Sequence, residues 1–130
     1  AVSKGCIVAA SAGNDGAHYY SYPASYDGVV SCASIDKWKA HSYFSNDNDC
    51  VDVAAPGEEV LTTAGKKGYD YVSGTSFSAP YVSAIAVLAK AVDDQIDSYR
   101  FHKILSIHPG MREPRATTIN TATALPTRAM

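Results

Sequence analysis

The chain has 130 residues, 46% of them apolar, and a formal charge of −2 from 11 Lys and Arg against 13 Asp and Glu. That length holds one domain or part of one. With neither a basic patch nor an acidic run, nothing points to nucleic acid, and the longest uninterrupted apolar runs, Cys6–Ala10 and Ala84–Ala89, are too short to span a bilayer.

In chain order, the opening Ala-Val-Ser-Lys lacks both Met and a signal-peptide pattern, so the chain is expected to be a piece of a longer protein. Gly5–Ala10 reads as a strand apolar on both faces, as a buried parallel strand requires. A turn over Ser11–Gly16 follows, then a second strand over Val29–Ile35, introduced by Asp27-Gly28. Trp38–Phe44 alternates weakly and is expected as a shorter, more exposed segment, followed by a polar turn over Asn46–Asp49. Val51–Ala55 is a further buried strand closed by Pro56-Gly57. Val60–Thr63 and Tyr69–Val72 are expected to pair as a hairpin. Ser78–Val92 is rich in Ala, Val, Ile and Leu all round and reads as a central helix, with Pro80 in its first turn. Ile96–Ile107 is expected as a second helix; from 108 to 130 the pattern dissolves into an irregular tail. Short buried strands around one central helix predict an α/β fold with a mainly parallel sheet.

Three cysteines without a C-x-x-C spacing argue against a zinc or redox motif. Cys6 and Cys32 are expected as small buried residues within strands. Cys50 could enter a disulfide in an oxidising compartment, its connectivity open.

The segment Gly74-Thr75-Ser76-Phe77-Ser78-Ala79-Pro80 carries the chemistry. It leads a turn directly into the central helix and places the Ser76 hydroxyl where free backbone N–H groups and the positive end of the helix dipole favour negative charge. A serine there suits a nucleophile that generates an oxyanion beside itself; it would equally serve as an N-cap. Thr75 and Ser78 read as local hydrogen-bonding and packing residues. The motif resembles the active-site serine segment of the subtilisin-like serine proteases, the subtilases. Three weaker segments stand in the family's order: Ser11-Ala12-Gly13-Asn14, Tyr22-Pro23-Ala24-Ser25-Tyr26 and Val53-Ala54-Ala55-Pro56-Gly57. Tyr81 and Ser83-Ala84 depart from the usual motif, in which histidine follows the proline.

The resemblance implies a three-layer subtilisin-like fold, with residues 1–107 as the C-terminal part of a peptidase catalytic domain. It makes Ser76 the nucleophile and Asn14 an oxyanion-hole donor, a carboxamide being a donor without titratable charge. In subtilisin, loss of that donor is known to cost about 2.7–4 kcal/mol of transition-state stabilisation; in Gly13-Asn14-Asp15-Gly16 the asparagine also fits a simple turn. Ala12, Gly13 and Ser21 are implied to line the substrate pocket, and an uncharged Ser21 favours medium or large apolar side chains over basic ones. Tyr22-Pro23 matches the family's cis-proline turn. The resemblance implies no cofactor beyond a structural calcium that a complete domain could hold; near Asp52, with Cys50 beside it, a solvated loop is expected instead. It implies secretion or a vesicular compartment.

The family's Asp-Thr/Ser-Gly and His-Gly-Thr-His strings do not occur in this sequence, and His18, His41, His102 and His108 lie in polar loops or late in the chain. The base and its orienting carboxylate are therefore expected from upstream sequence. This chain alone is then an inactive, poorly covered half-domain whose partners are a peptide substrate and its own upstream half. The alternative is a non-catalytic, truncated or degenerate subtilase that binds peptides or a partner. An α/β-hydrolase lipase is disfavoured because Ser78 stands where Gly-x-Ser-x-Gly needs its second glycine.

Overall fold

The computed structural model describes residues 1–107; the tail expected over 108–130, and His108 with it, lies outside the described residues. Strands β1 (Val8–Ser11), β2 (Val29–Ile35) and β3 (Val53–Pro56) form a parallel sheet in that order, with Val8 opposite Val29 and Cys32 opposite Val53. β2 lies in the middle. Six of its seven residues, Val29 to Ser34, are buried, which explains a run of small and β-branched residues without polar alternation. β4 (Val60–Thr63) and β5 (Tyr69–Val72) make a separate antiparallel hairpin, Val60 facing Val72 and Thr63 facing Tyr69, as expected.

Two helices follow, α1 (Thr75–Val92) and α2 (Ser98–Ile107). α1 lays Val82 and Ala86 on the sheet, and α2 adds Phe101 and Leu105, with Ile96 of the connecting turn. Together they close one core around Val30, Cys32, Val53 and Ala55. Burying such side chains stabilises a fold by about 1.5–3 kcal/mol each.

Four expectations are corrected. β1 is half-buried along its length, because it is the edge of the described sheet. Cys6 precedes β1 and is exposed; Cys32 is buried as expected, and no disulfide joins the three cysteines among the described residues. The segment from Trp38 to Phe44 forms no strand. Asp36 Oδ1 accepts the N–H groups of Trp38 and Ala40 at 2.9 and 2.8 Å, a side-chain-closed turn that leaves only a bridge between Ile35 and His41. α1 begins at Thr75, three residues before the expected start, so Pro80 is its sixth residue and not in its first turn. Lacking an N–H, Pro80 cannot bond the Ser76 carbonyl one turn back.

α1 is central but one-sided. Thr75, Ser78, Val82 and Ala86 are buried, whereas Tyr81, Val87, Leu88 and Val92 are exposed, the last by 90%. Counting small residues with apolar ones, it is long and apolar enough to cross a bilayer, although its buried stripe is packed on the sheet.

Candidate active site

Parallel strands bring their carboxyl ends together, and open α/β sheets bind ligands beyond those ends. Here that edge gathers the loop after β1, with Gly13 and Asn14, the Pro56-Gly57 end of β3, and the Gly74-Thr75-Ser76 turn into α1. Gly57 is the joint. Its carbonyl accepts the Gly74 N–H at 2.7 Å. A Cβ at Gly57 would lie 2.3 Å from Ser78 Oγ, 2.6 Å from Ser34 Oγ and 2.8 Å from the Gly74 carbonyl oxygen. Only a residue without a side chain lets the turn sit so close to the strand end. The buried Ser78 hydroxyl donates to the Ala55 carbonyl at 2.9 Å and pins the first turn of α1 to β3.

Ser76, the second residue of α1, is exposed. At that place its N–H has no intrahelical acceptor, and the dipole end is positive. Next to it, the Thr75 N–H and hydroxyl both donate to Asn14 Oδ1, each at 2.8 Å. Thr75 Oγ1 in turn accepts the Gly13 N–H at 3.3 Å. Two donors on one side fix the carboxamide: its oxygen faces Thr75 and its NH2 is turned away. An exposed hydroxyl, a backbone N–H at a helix start and an oriented amide donor thus share one edge, an arrangement suited to an alkoxide or tetrahedral oxyanion.

Ser21 stands against Gly13, since a Cβ on Gly13 would lie 2.6 Å from Ser21 Oγ. Ala12, just before Gly13, is 1% exposed and gives its N–H to the Cys32 carbonyl. The Tyr22–Pro23 peptide is cis. One organiser was not singled out in the sequence, Asn46, a fully buried carboxamide holding the Gly13–Ala17 loop. Its only signal was a polar stretch, which reads as a surface turn.

Two of the described histidines, His18 and His102, pair with carboxylates. His18 Nδ1 lies 2.5 Å from Asp47 Oδ1. His41 pairs with Ile35 through its backbone. His102 donates from Nδ1 to the Ser98 carbonyl at 2.7 Å and from Nε2 to Asp52 Oδ2 at 3.2 Å. The Asp52 carboxylate accepting that N–H holds His102 above the ordinary imidazole range, outweighing partial burial. Asp52 precedes β3, so the length of that strand, roughly 13 Å at the usual rise, separates it from the edge carrying Ser76. The expected solvated-loop role of Asp52 is also corrected: Oδ2 accepts the Ser31 N–H at 2.9 Å as well as His102. With an imidazolium on that oxygen these residues do not fit a calcium ion, and no group of three or more His, Cys, Asp or Glu suited to a metal exists among the described residues. Burial, with help from Asp52, pushes the Cys32 thiol up to about 12, so it stays protonated and unreactive.

The fold and this edge define an α/β protein that opens its central helix on an exposed serine. The Subtilase family model matches residues 1–130, and the chain belongs to that family. It is 38% identical over 100 residues to the major intracellular serine protease of Bacillus subtilis (strain 168), covering 73% of this chain and 31% of that protein. It is 37% identical over 107 residues to the halolysin-like extracellular serine protease Nep of Natrialba magadii, covering 82% of this chain and 17% of the relative. A solved cold-adapted subtilisin-like serine proteinase superposes with a TM-score of 0.74 at 28% identity, over 78% of this chain and 38% of the other. The chain thus spans a third or less of the length of these curated relatives.

Proposed function

We propose that this chain is the serine-bearing portion of a serine endopeptidase. Ser76 Oγ attacks the carbonyl carbon of a peptide bond. A histidine base on upstream sequence takes its proton, oriented by an upstream carboxylate, and returns the proton to the leaving amine. The acyl-enzyme is then hydrolysed by water through the same base. At each tetrahedral stage the oxyanion takes hydrogen bonds from Asn14 Nδ2 and the Ser76 N–H. Gly13, backed by Ala12, and Ser21 form one wall of the pocket for the residue before the scissile bond; being uncharged, they favour medium or large apolar side chains. The reaction runs on protein groups; any structural calcium belongs to other parts of a complete domain. Family relatives are named as both extracellular and intracellular enzymes; a secreted or vesicular location is our choice between them.

The observation that carries this reading is the Asn14 carboxamide, whose oxygen accepts both the N–H and the hydroxyl of Thr75, the residue just before the exposed helix-start Ser76. Without the upstream base the chain is expected to be inert. The test is labelling by a fluorophosphonate of this chain alone and of the chain joined to its upstream sequence, each with Ser76→Ala as control. Labelling of the longer protein only, lost in the Ala variant, is the expected result. No labelling of a folded longer protein overturns the enzyme reading and leaves a peptide-binding subtilase. Labelling of the short chain makes His18 or His41 the base.

A further inference from the structure

Asn46 is fully buried and 32 residues from Asn14 in sequence, yet it bonds to the chain on both sides of it. Its backbone N–H donates to the Gly13 carbonyl at 3.0 Å. Its Oδ1 accepts the N–H of Asp15 at 2.9 Å and of Ala17 at 3.4 Å, and its Nδ2 donates to Asp15 Oδ2 at 3.2 Å. That same Nδ2 sits 2.4 Å from where a Cβ of Gly13 would be, in the space that also meets Ser21 Oγ. Gly13 has φ +113°, so only glycine turns the chain there without strain.

A carboxamide is the side chain this place calls for. It accepts two backbone N–H groups with one end and donates to a carboxylate with the other. A carboxylate would face Asp15 Oδ2 with like charge, and a hydroxyl is too short to span both. Asn46 is in turn held by its surroundings: Ser45 Oγ donates to the Asn46 carbonyl at 3.2 Å and accepts the Ser34 N–H of β2 at 3.0 Å. Hydrogen bonds therefore run from the central strand through Ser45 and Asn46 to the Gly13–Ala17 loop. The Asn14 oxygen is fixed from the other side by Thr75. Clamped on both sides, the loop holds one position and the Asn14 NH2 one direction. A donor that has to reorganise as charge develops loses much of its worth.

We infer that Asn46 is a positioning residue for the oxyanion donor: it touches no substrate and acts on turnover through Asn14, tying that donor to the Gly13–Ser21 wall. This rests on the enzyme reading above. The experiment uses the chain joined to its upstream sequence and a peptide anilide substrate, with kcat normalised to sites labelled by the fluorophosphonate. Misfolded molecules then drop out of the count. Asn46→Ala is expected to lower kcat about 10–100-fold with KM changed less than about twofold, below the 10²–10³ known for removing an oxyanion donor outright. In an Asn14→Ala background the same change is expected to cost less than about twofold, because the two residues act through one donor. Equal losses in both backgrounds, or a loss confined to KM, overturn the inference while leaving the enzyme reading intact. A wild type that is neither labelled nor active overturns both. If Asn46→Ala yields no labelled sites, Asn46→Asp decides: it keeps the volume and both accepted N–H bonds and replaces the donation to Asp15 with a like-charge contact. A kcat loss absent from the Asn14→Ala background supports the inference, and an unchanged or background-independent kcat refutes it.

Discussion

Gly57 shows how much a single missing side chain can position. Three atoms crowd the space its Cβ would take. Two of them, Ser78 Oγ and the Gly74 carbonyl, belong to the turn that presents Ser76. Ser78 cannot swing aside without giving up the Ala55 carbonyl, and the Gly74 oxygen is backbone. Gly57→Ala should therefore lift the turn off the end of β3. Overpacking of this kind costs about 1–3 kcal/mol, read as a lowered urea midpoint with an unchanged slope. Fluorophosphonate labelling of the joined protein should fall further than that loss accounts for, since the displaced part is the helix start itself. An Ala variant with wild-type midpoint and labelling rate would show that the contact is slack. Short motifs singled out Ser76, Asn14, Gly13 and Ser21 together, and the fold gathers the four at the carboxyl edge of the sheet, their roles being those proposed above. Asn46 was not legible, because its partners lie 29 to 31 residues away and a buried polar side chain looks like a surface one until its partners are known.

Among the elements, α2 is held to the sheet by apolar packing of Phe101 and Leu105 and by one charged contact, His102 with Asp52. Both ring nitrogens of His102 donate, so the bound form is the imidazolium. Its pKa is raised in the folded chain chiefly by the Asp52 hydrogen bond. The sign follows: the stabilisation is fully present below the ordinary imidazole value, about 6.5, and fades as pH rises through the raised folded value. Melting curves of wild type and His102→Gln should differ most near pH 5.5 and converge at alkaline pH. A gap that stays constant with pH would assign the effect to packing. The paired side chains are about one-fifth exposed, so solvent tempers the effect. β2, the hairpin and the body of α1 were readable because their signals are local: unbroken runs of apolar and small residues for β2 and α1, and two short β-prone runs across a glycine-bounded turn for the hairpin. The start of α1 was misjudged because Gly74-Thr75-Ser76 is turn-prone, and here the helix is fixed by the distant Asn14 and Ala55. The Trp38 region was misjudged because Asp36 closes a turn that weak alternation hides. β1 is apolar enough for a central strand yet lies at an edge.

At the scale of the whole chain, edge strand and one-sided helix belong together. β1 is half-buried, and α1 turns Tyr81, Val87, Leu88 and Val92 to solvent, Val87 and Leu88 each 68% exposed. A helix apolar around its circumference needs cover on more than one side, and the structural relative extends well beyond the 38% matched here. If the upstream half supplies that cover along with the base, the two halves should recognise each other through this helix face. Leu88 makes the better probe, because Tyr81 lies closer to Ser76. Burying a leucine contributes about 2 kcal/mol, so Leu88→Ser should weaken association of the separately made halves roughly 30-fold. It should leave the melting temperature of the isolated chain nearly unchanged, since nothing is lost where the side chain is already in water. Binding of a hydrophobic dye to the isolated chain should fall when the upstream half is added. Association measured by titration, with labelling at Ser76 as the functional readout, separates the outcomes. Coupled loss of affinity and labelling supports a single domain assembled across α1. Full labelling with unchanged affinity in Leu88→Ser would place the joining surface elsewhere, and dye binding that persists in an active complex would give the exposed face a different occupant.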